Sequence, residues 1–240
     1  MTDATGELTI DGVAVNRLEW DVKVGLTLNG AMHDTAIAVW GTKANYDYAR
    51  PISMIRYLGE RGELVETPGL VETVTEESIA EGGHHAFFAD SIGEQIVYAW
   101  LGEALTPSAE ISGVGWQLAT EWVPYQRASF VSPAFAGYVS GHSGFSRAGA
   151  EVLTHLTGSA FFPGGMEIHE IELRSLGHEV GPSEAFNLQW ATYRDAADQA
   201  AISRLYGGIH VRADDLNGRI IGEEVGLRVV EHARTYFSTS

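Results

Sequence analysis

A chain of 240 residues, 45% hydrophobic and 20% charged, is long enough to bury one sizeable core and has the composition of a soluble globular protein. Its formal charge of −17 argues against nucleic-acid or anionic-membrane binding, both of which need a basic footprint. With no cysteine, disulfides, thiolate chemistry and Cys-ligated zinc are excluded. No apolar run reaches the roughly 18 residues of a membrane span, and no signal peptide is visible, so a soluble protein is expected and its compartment stays open.

Taken in order, the polar stretch Met1 to Val13 reads as a connecting loop. Asn16 is placed to cap a helix starting near Arg17, along which Leu18, Val22, Leu26, Met32, Ala36 and Trp40 recur at helical spacing. Gly25 and Gly30 are candidate breaks. On such a helix Trp40, Lys43 and Arg50 share a face. Pro51 suits the first turn of a short helix over Ile52 to Leu58. From about 59 to 93 the pattern dissolves into a glutamate-rich excursion with two Gly-containing turns, long enough to suggest function or mobility. His84-His85 within it reads as surface, and no histidine outside the motifs described below shows persuasive metal-ligand spacing.

Short apolar pieces follow at Ile96 to Leu101 and Trp116 to Trp122. Phe145, Ala148, Gly149, Val152, Leu153 and Leu156 then trace an amphipathic helix from Ser140 or Gly141, stopped by Gly158. After an irregular stretch from 161 to 181, a helix is expected from about Ser183 to Tyr206, with Phe186, Trp190, Tyr193, Ala197 and Ala200 inward. A last helix, Ala213 to Tyr236, would bury Leu216, Ile220, Ile221, Val225 and Val229. No alternating strand ladder stands out. The expectation is an all-α helical bundle forming a single domain over 1–240.

Three segments carry chemistry. Arg204 extends an apolar stripe, and a guanidinium there needs an anion, because an unpaired buried charge is strongly destabilising. The simplest partner is a helix carboxylate such as Asp34. Lys43 and Arg50 are the second pair of cations, and Lys43 is one of only two lysines in the chain. The bland alternative for Lys43 is a solvated face with Asp47 one turn away. Ser140-Gly141-His142 opens a helix, where free N–H groups and the dipole favour an anion. Gly141-His142-Ser143-Gly144 is not a hydrolase elbow, since the second glycine comes one position early for G-x-S-x-G. His210 with Asp214 at i+4 is either a local hydrogen bond or a carboxylate that fixes the tautomer of a reactive imidazole.

Together K-x6-R-P, S-G-H and S-R-x5-H-x3-D, in this order from Lys43 to Asp214, resemble the signature of the vanadium-dependent haloperoxidases and the related acid phosphatases of the phosphatidic-acid-phosphatase type 2 superfamily. Val139 stands where that family usually has proline before Ser-Gly-His. The resemblance implies a helical bundle in which Lys43, Arg50, Ser140, Gly141 and Arg204 hold the oxygens of vanadate, a site phosphate also fits. It implies His210 as the vanadium ligand and His142 as acid–base. Hydrogen peroxide, a halide (bromide or chloride) and a small organic acceptor are the implied reactants. In the phosphatase alternative His210 is the nucleophile, Asp214 orients it and His142 protonates the leaving group. Trp40 and Phe135 match aromatics near the halide site of chloroperoxidase-like members, although core packing explains them equally well, and a histidine at position 135 would look more like a bromoperoxidase. Members are usually much longer, with helices before the first motif. The chain therefore resembles their C-terminal half: a fragment, a compact relative, or a protomer that completes its core as a homo-oligomer. A non-catalytic bundle held by inter-helix ion pairs is the third reading.

Overall fold

A computed structural model describes residues 8–237. The first seven residues of the Met1–Val13 stretch expected as a loop lie outside it. The rest of that stretch enters a hairpin, β1 (Thr9–Ile10) paired antiparallel with β2 (Val13–Ala14), and Ile10 is buried in the core.

Four long helices build the bundle, and a fifth, shorter one follows the first beside it. Helix α1 (Arg17–Tyr46) is capped by the Asn16 side chain, which accepts the Glu19 N–H, and it runs unbroken through both Gly25 and Gly30. Helix α2 (Pro51–Glu60) starts on its proline, where the missing N–H costs nothing. Helix α4 (Gly141–Thr157) is capped by Ser140 and ends on Gly158 in the left-handed conformation. Helices α5 (Tyr193–Tyr206) and α6 (Arg212–Phe237) complete the bundle, and α4 sits at its centre, packed against α1, α5 and α6.

Between α2 and α4 the chain forms a three-stranded antiparallel sheet, which the sequence reading did not anticipate. Its strands are β3 (Val71–Thr73), β4 (Gln95–Trp100) and β5 (Val114–Leu118), in that order, with a one-turn helix α3 (Glu76–Ile79) between β3 and β4. A second hairpin, β6 (Glu167–Ile171) with β7 (Phe186–Trp190), takes the residues expected as the first turns of a helix from Ser183. That helix begins only at Tyr193, because Thr192 and Asp195 form a capping box there.

The buried faces differ from the apolar stripes expected. On α1 the core face is Val24, Thr27, Ala31, Thr35, Val39 and Lys43, while Leu18, Val22 and Leu26 are exposed. On α6 the buried line is Gly218, Gly222, Gly226, Val230 and Ala233, while Leu216 and Ile220 lie outside. The reason is close backbone approach. A Cβ at Gly222 would stand 2.2 Å from the Gly144 carbonyl oxygen, and one at Gly218 would stand 2.7 Å from that of Ser140. The three glycines, four apart, form a smooth ridge that lets α6 press directly on the start of α4.

Charged side chains tie the same helices laterally. Arg147 on α4 pairs with Glu151, with Asp198 of α5 and with Glu223 of α6. Arg219 bridges Asp215 and Asp198, and Ser143 donates to Asp215 at 2.8 Å. Glu151, Asp198, Asp215 and Glu223 are thus engaged by Arg147 and Arg219 within the bundle.

Candidate oxyanion site

Eight residues of the motifs, together with Trp40 and Phe135, meet at one end of the bundle. Lys43 comes from the last turn of α1, Arg204 from the last turn of α5, and Ser140, Gly141 and His142 from the cap and first turn of α4. His210 stands just before α6 and Asp214 in its first turn. Arg50 is not on α1, as the sequence reading had it. It is the cap residue of α2 and reaches in after Asp47 turns the chain in a left-handed conformation. A cavity of about 630 Å³ is lined by Trp40, Lys43, Arg50, Phe135, Gly141, His142, Arg204 and His210, with Gln126, Phe130 and Ile209 among the rest of its wall. Ser140 and Asp214 lie fully buried behind this wall.

Lys43 and Arg50 are 3% and 6% exposed, and neither forms an ion pair among the described residues. Lys43 Nζ instead donates to the carbonyls of Ala136 at 2.8 Å and Gly137 at 3.0 Å. Arg50 donates from Nε to the Phe135 carbonyl and from Nη1 to that of Ile209. Asp34, the expected partner of Arg204, is instead beside His33 on an exposed part of α1. Among the described residues Arg204 has no carboxylate partner, and its Nε, like Nη2 of Arg50, is buried without a hydrogen bond.

Asp214 is the one acid in this group, and it serves His210. Its Oδ2 lies 2.8 Å from His210 Nδ1 and also accepts the Val211 N–H. A carboxylate at Nδ1 makes that nitrogen the proton carrier and leaves a lone pair on Nε2, to which Arg50 Nη1 donates at 3.0 Å. The starts of α4 and α6 are joined by the Ser140 N–H on the Asp214 carbonyl.

Gathering three cations away from solvent has the expected effect on their proton affinity. Burial, and then Arg50, lower the Lys43 pKa to about 8 against partial relief from Asp214. Burial likewise lowers Arg50 and Arg204. His142 is lowered by burial, by Arg204 and by His210, although its side chain reaches the solvent-exposed rim. His210 is lowered chiefly by burial, with the Asp214 bond opposing. Both shifts favour the neutral imidazole.

The aromatic pair belongs to the cavity rather than the core. Trp40 and Phe135 are roughly half exposed, with ring centroids 5.4 Å apart, and the Lys43 ammonium lies 5.3 Å from the Phe135 centroid. Sequence reasoning missed the backbone of Phe135, Ala136 and Gly137 as the hydrogen-bonding seat of the two cations, and no residue pattern announces it. It also missed the clasp from Ser143 to Asp215. The glycine ridge was legible in principle from its four-residue spacing.

The cavity is locally basic in an acidic chain, and two guanidinium nitrogens of its lining arginines are buried without a hydrogen bond among the described residues. Residues 23–239 match the family described as the VCPO second helical-bundle domain. The chain belongs to this family. It is similar in fold to the apo-type bacterial vanadium-dependent chloroperoxidase, with a TM-score of 0.64 at 19% identity over 90% of this chain. The holo-type structure of the bacterial enzyme gives 0.63 at the same identity. The chain spans 37% and 36% of those two proteins. No curated protein sequence matches it at a significant level. This vanadium haloperoxidase-like chain has no helix among its described residues long and apolar enough to cross a membrane.

Proposed function

We propose that the cavity holds vanadate and that the chain oxidises a halide, bromide or chloride, with hydrogen peroxide to a hypohalous-acid equivalent that a small organic acceptor consumes. The observation that carries this reading is the convergence of Lys43, Arg50 and Arg204 with His142 and His210 on one cavity, with Arg50 Nη2 and Arg204 Nε left without a hydrogen bond among the described residues. A buried guanidinium nitrogen without an acceptor is costly, and an anion in the cavity removes that cost. The donor set fits vanadate on the same grounds: several fixed cationic donors for its oxygens and one imidazole lone pair for the metal.

In this reading Lys43, Arg50 and Arg204 hold the anion's oxygens, with the Ser140 hydroxyl and the Gly141 N–H adding donors at the start of α4. His210 Nε2 is the metal ligand, and Asp214 keeps its ring turned and its proton on Nδ1. Bound vanadate supplies Lewis-acid activation of peroxide towards halide. His142, shifted towards its neutral form, is the group able to take a proton from incoming hydrogen peroxide at an imidazole nitrogen. Trp40 and Phe135 offer the halide an apolar wall beside the Lys43 ammonium. The whole reads as one domain, with the excursion from 59 to 93 packed beside it.

The purified chain, supplied with orthovanadate, peroxide and bromide, should brominate a phenol-type dye, and His210→Ala should not. Hydrolysis of a phosphate ester, inhibited by vanadate and lost in His210→Ala, would instead support the acid phosphatase reading on the same residues. Failure to bind vanadate or phosphate at all would reduce the site to a non-catalytic set of inter-helix contacts.

A further inference from the structure

His84-His85, read from sequence as surface, is not surface at its second residue. His85 is 1% exposed, and neither of its ring nitrogens makes a hydrogen bond among the described residues. A buried imidazole without a partner is costly, so something about its surroundings must compensate. The chain is shaped to put it there. Gly82 turns the backbone with φ +86, and a Cβ on Gly83 would stand 2.2 Å from the Ser78 carbonyl oxygen. The His85 N–H then bonds that same carbonyl at 3.0 Å, and its ring lies edge-on to Trp116 of β5 at 5.1 Å.

Glu72, from the middle of β3, faces the pair. Its Oε2 is 3.2 Å from His85 Nε2 and 3.8 Å from His84 Nε2, and the three atoms all lie within 4.8 Å of one another. Its other oxygen, Oε1, is occupied by the Gly69 N–H at 2.7 Å, which fixes the carboxylate with Oε2 turned to the imidazoles. The contact at 3.2 Å does not have hydrogen-bond geometry, so the oxygen stands off the axis along which His85 Nε2 would donate. Two ligands of one ion stand in that relation, because the metal rather than the neighbouring ligand takes the lone-pair axis. Ligand atoms about 2.0–2.1 Å from a tetrahedral zinc are about 3.3 Å apart. The Glu72–His85 spacing already has this value, and His84, whose side chain is 72% exposed, is free to close the remainder.

We propose that Glu72, His84 and His85 form a divalent transition-metal site, with zinc as its ion, distinct from the cavity around His210. Two imidazoles and one carboxylate favour zinc and its neighbours over magnesium or calcium, which take oxygen ligands. Three protein ligands leave a fourth position to water. The ion clasps the loop around 80–88 to β3 and, through His85 on Trp116, to the sheet, so its role is to staple the excursion rather than to turn over substrate.

The test uses the full chain without a polyhistidine tag. Titration with CoCl2 should give visible absorption saturating at one ion per chain, displaced by ZnCl2 and not by MgCl2 or CaCl2. Zinc should also raise the unfolding temperature. His84→Ala removes an exposed ligand and should keep the far-UV spectrum. It should weaken zinc binding by at least about tenfold, a loss that removing even an outer-shell partner can cause. Glu72→Gln should do the same, whereas His210→Ala should leave the titration unchanged and so separates this site from the oxyanion cavity. No uptake by the wild-type chain, uptake indifferent to His84→Ala and Glu72→Gln, or uptake abolished by His210→Ala would each overturn the assignment.

Discussion

Asp214 Oδ2 and His210 Nδ1 stand 2.8 Å apart, and the same oxygen accepts the Val211 N–H, so the carboxylate and the ring are fixed by one short turn before α6. The pair sets which nitrogen of His210 carries the proton. Asp214→Asn is expected to keep the fold but remove the charge that supports the tautomer and basicity of Nε2. Vanadate affinity should fall by about 10- to 100-fold, the usual effect of losing a carboxylate behind a metal-binding histidine. Titration followed by vanadium NMR would measure it, and an unchanged affinity would remove Asp214 from the site.

In the proposed oxyanion site Lys43 sets a pH dependence whose sign is fixed. Its pKa in the ligand-free fold is about 8, below the ordinary 10.5. Binding an anion needs the ammonium form, so affinity should hold below pH 8 and weaken as the pH rises through it. Lys43→Arg, charged throughout, should lose that share of the slope, and parallel curves for the two proteins would refute the assignment. For stability the same shift works in reverse. The fold holds this proton more weakly than the unfolded chain, so the Lys43 contribution to ligand-free stability increases from about pH 8 to 10.5.

Gly222 tests how the site is held in place. With the Gly144 carbonyl oxygen 2.2 Å from where a Cβ would sit, Gly222→Ala must push α6 away from α4. The expected destabilisation is about 1–3 kcal/mol, towards the upper end because the obstacle is backbone. Denaturant unfolding would show it. Oxyanion affinity should fall as well, since α4 carries Ser140 and α6 carries Asp214. Wild-type stability in this variant would mean that the ridge does not set the helix spacing.

How much of this was legible in the sequence depends on the kind of contact. Caps were readable because their chemistry is local: Asn16, Pro51, Ser140 and Gly158 all mark helix ends as expected. The cationic residues were readable as a set, because three short motifs carry them. The packing faces were not. Leu18, Val22 and Leu26 repeat at helical spacing and look like a core stripe, yet the core prefers the small side chains opposite, where backbones can approach. Strands 71–73, 95–100 and 114–118 escaped because they are short and their pairing partners lie far along the chain. The same non-local pairing hid the neighbourhood of Glu72 and His85. Asp34, the partner expected for Arg204, was misjudged for the same reason as the packing faces: it lies on an exposed part of α1 beside His33.

In the proposed site Trp40 and Phe135 should separate anion holding from halide choice. Their rings line the cavity, 5.4 Å apart, and their contacts with Lys43 are cation–π contacts at 5.8 and 5.3 Å rather than hydrogen bonds. Such contacts are worth about 0.5–1 kcal/mol at partly exposed positions, so Trp40→Ala or Phe135→Ala should change vanadate affinity by less than about fivefold. The ratio of kcat/KM for bromide to that for chloride should move much further, because the halide loses the apolar wall that strips its water while Lys43 still supplies charge. Phe135→His should shift the ratio towards bromide, since a polar ring replaces part of that wall. Steady-state assays with both halides decide the matter. A large loss of vanadate affinity with an unaltered halide ratio would place the two rings in the anion cage instead.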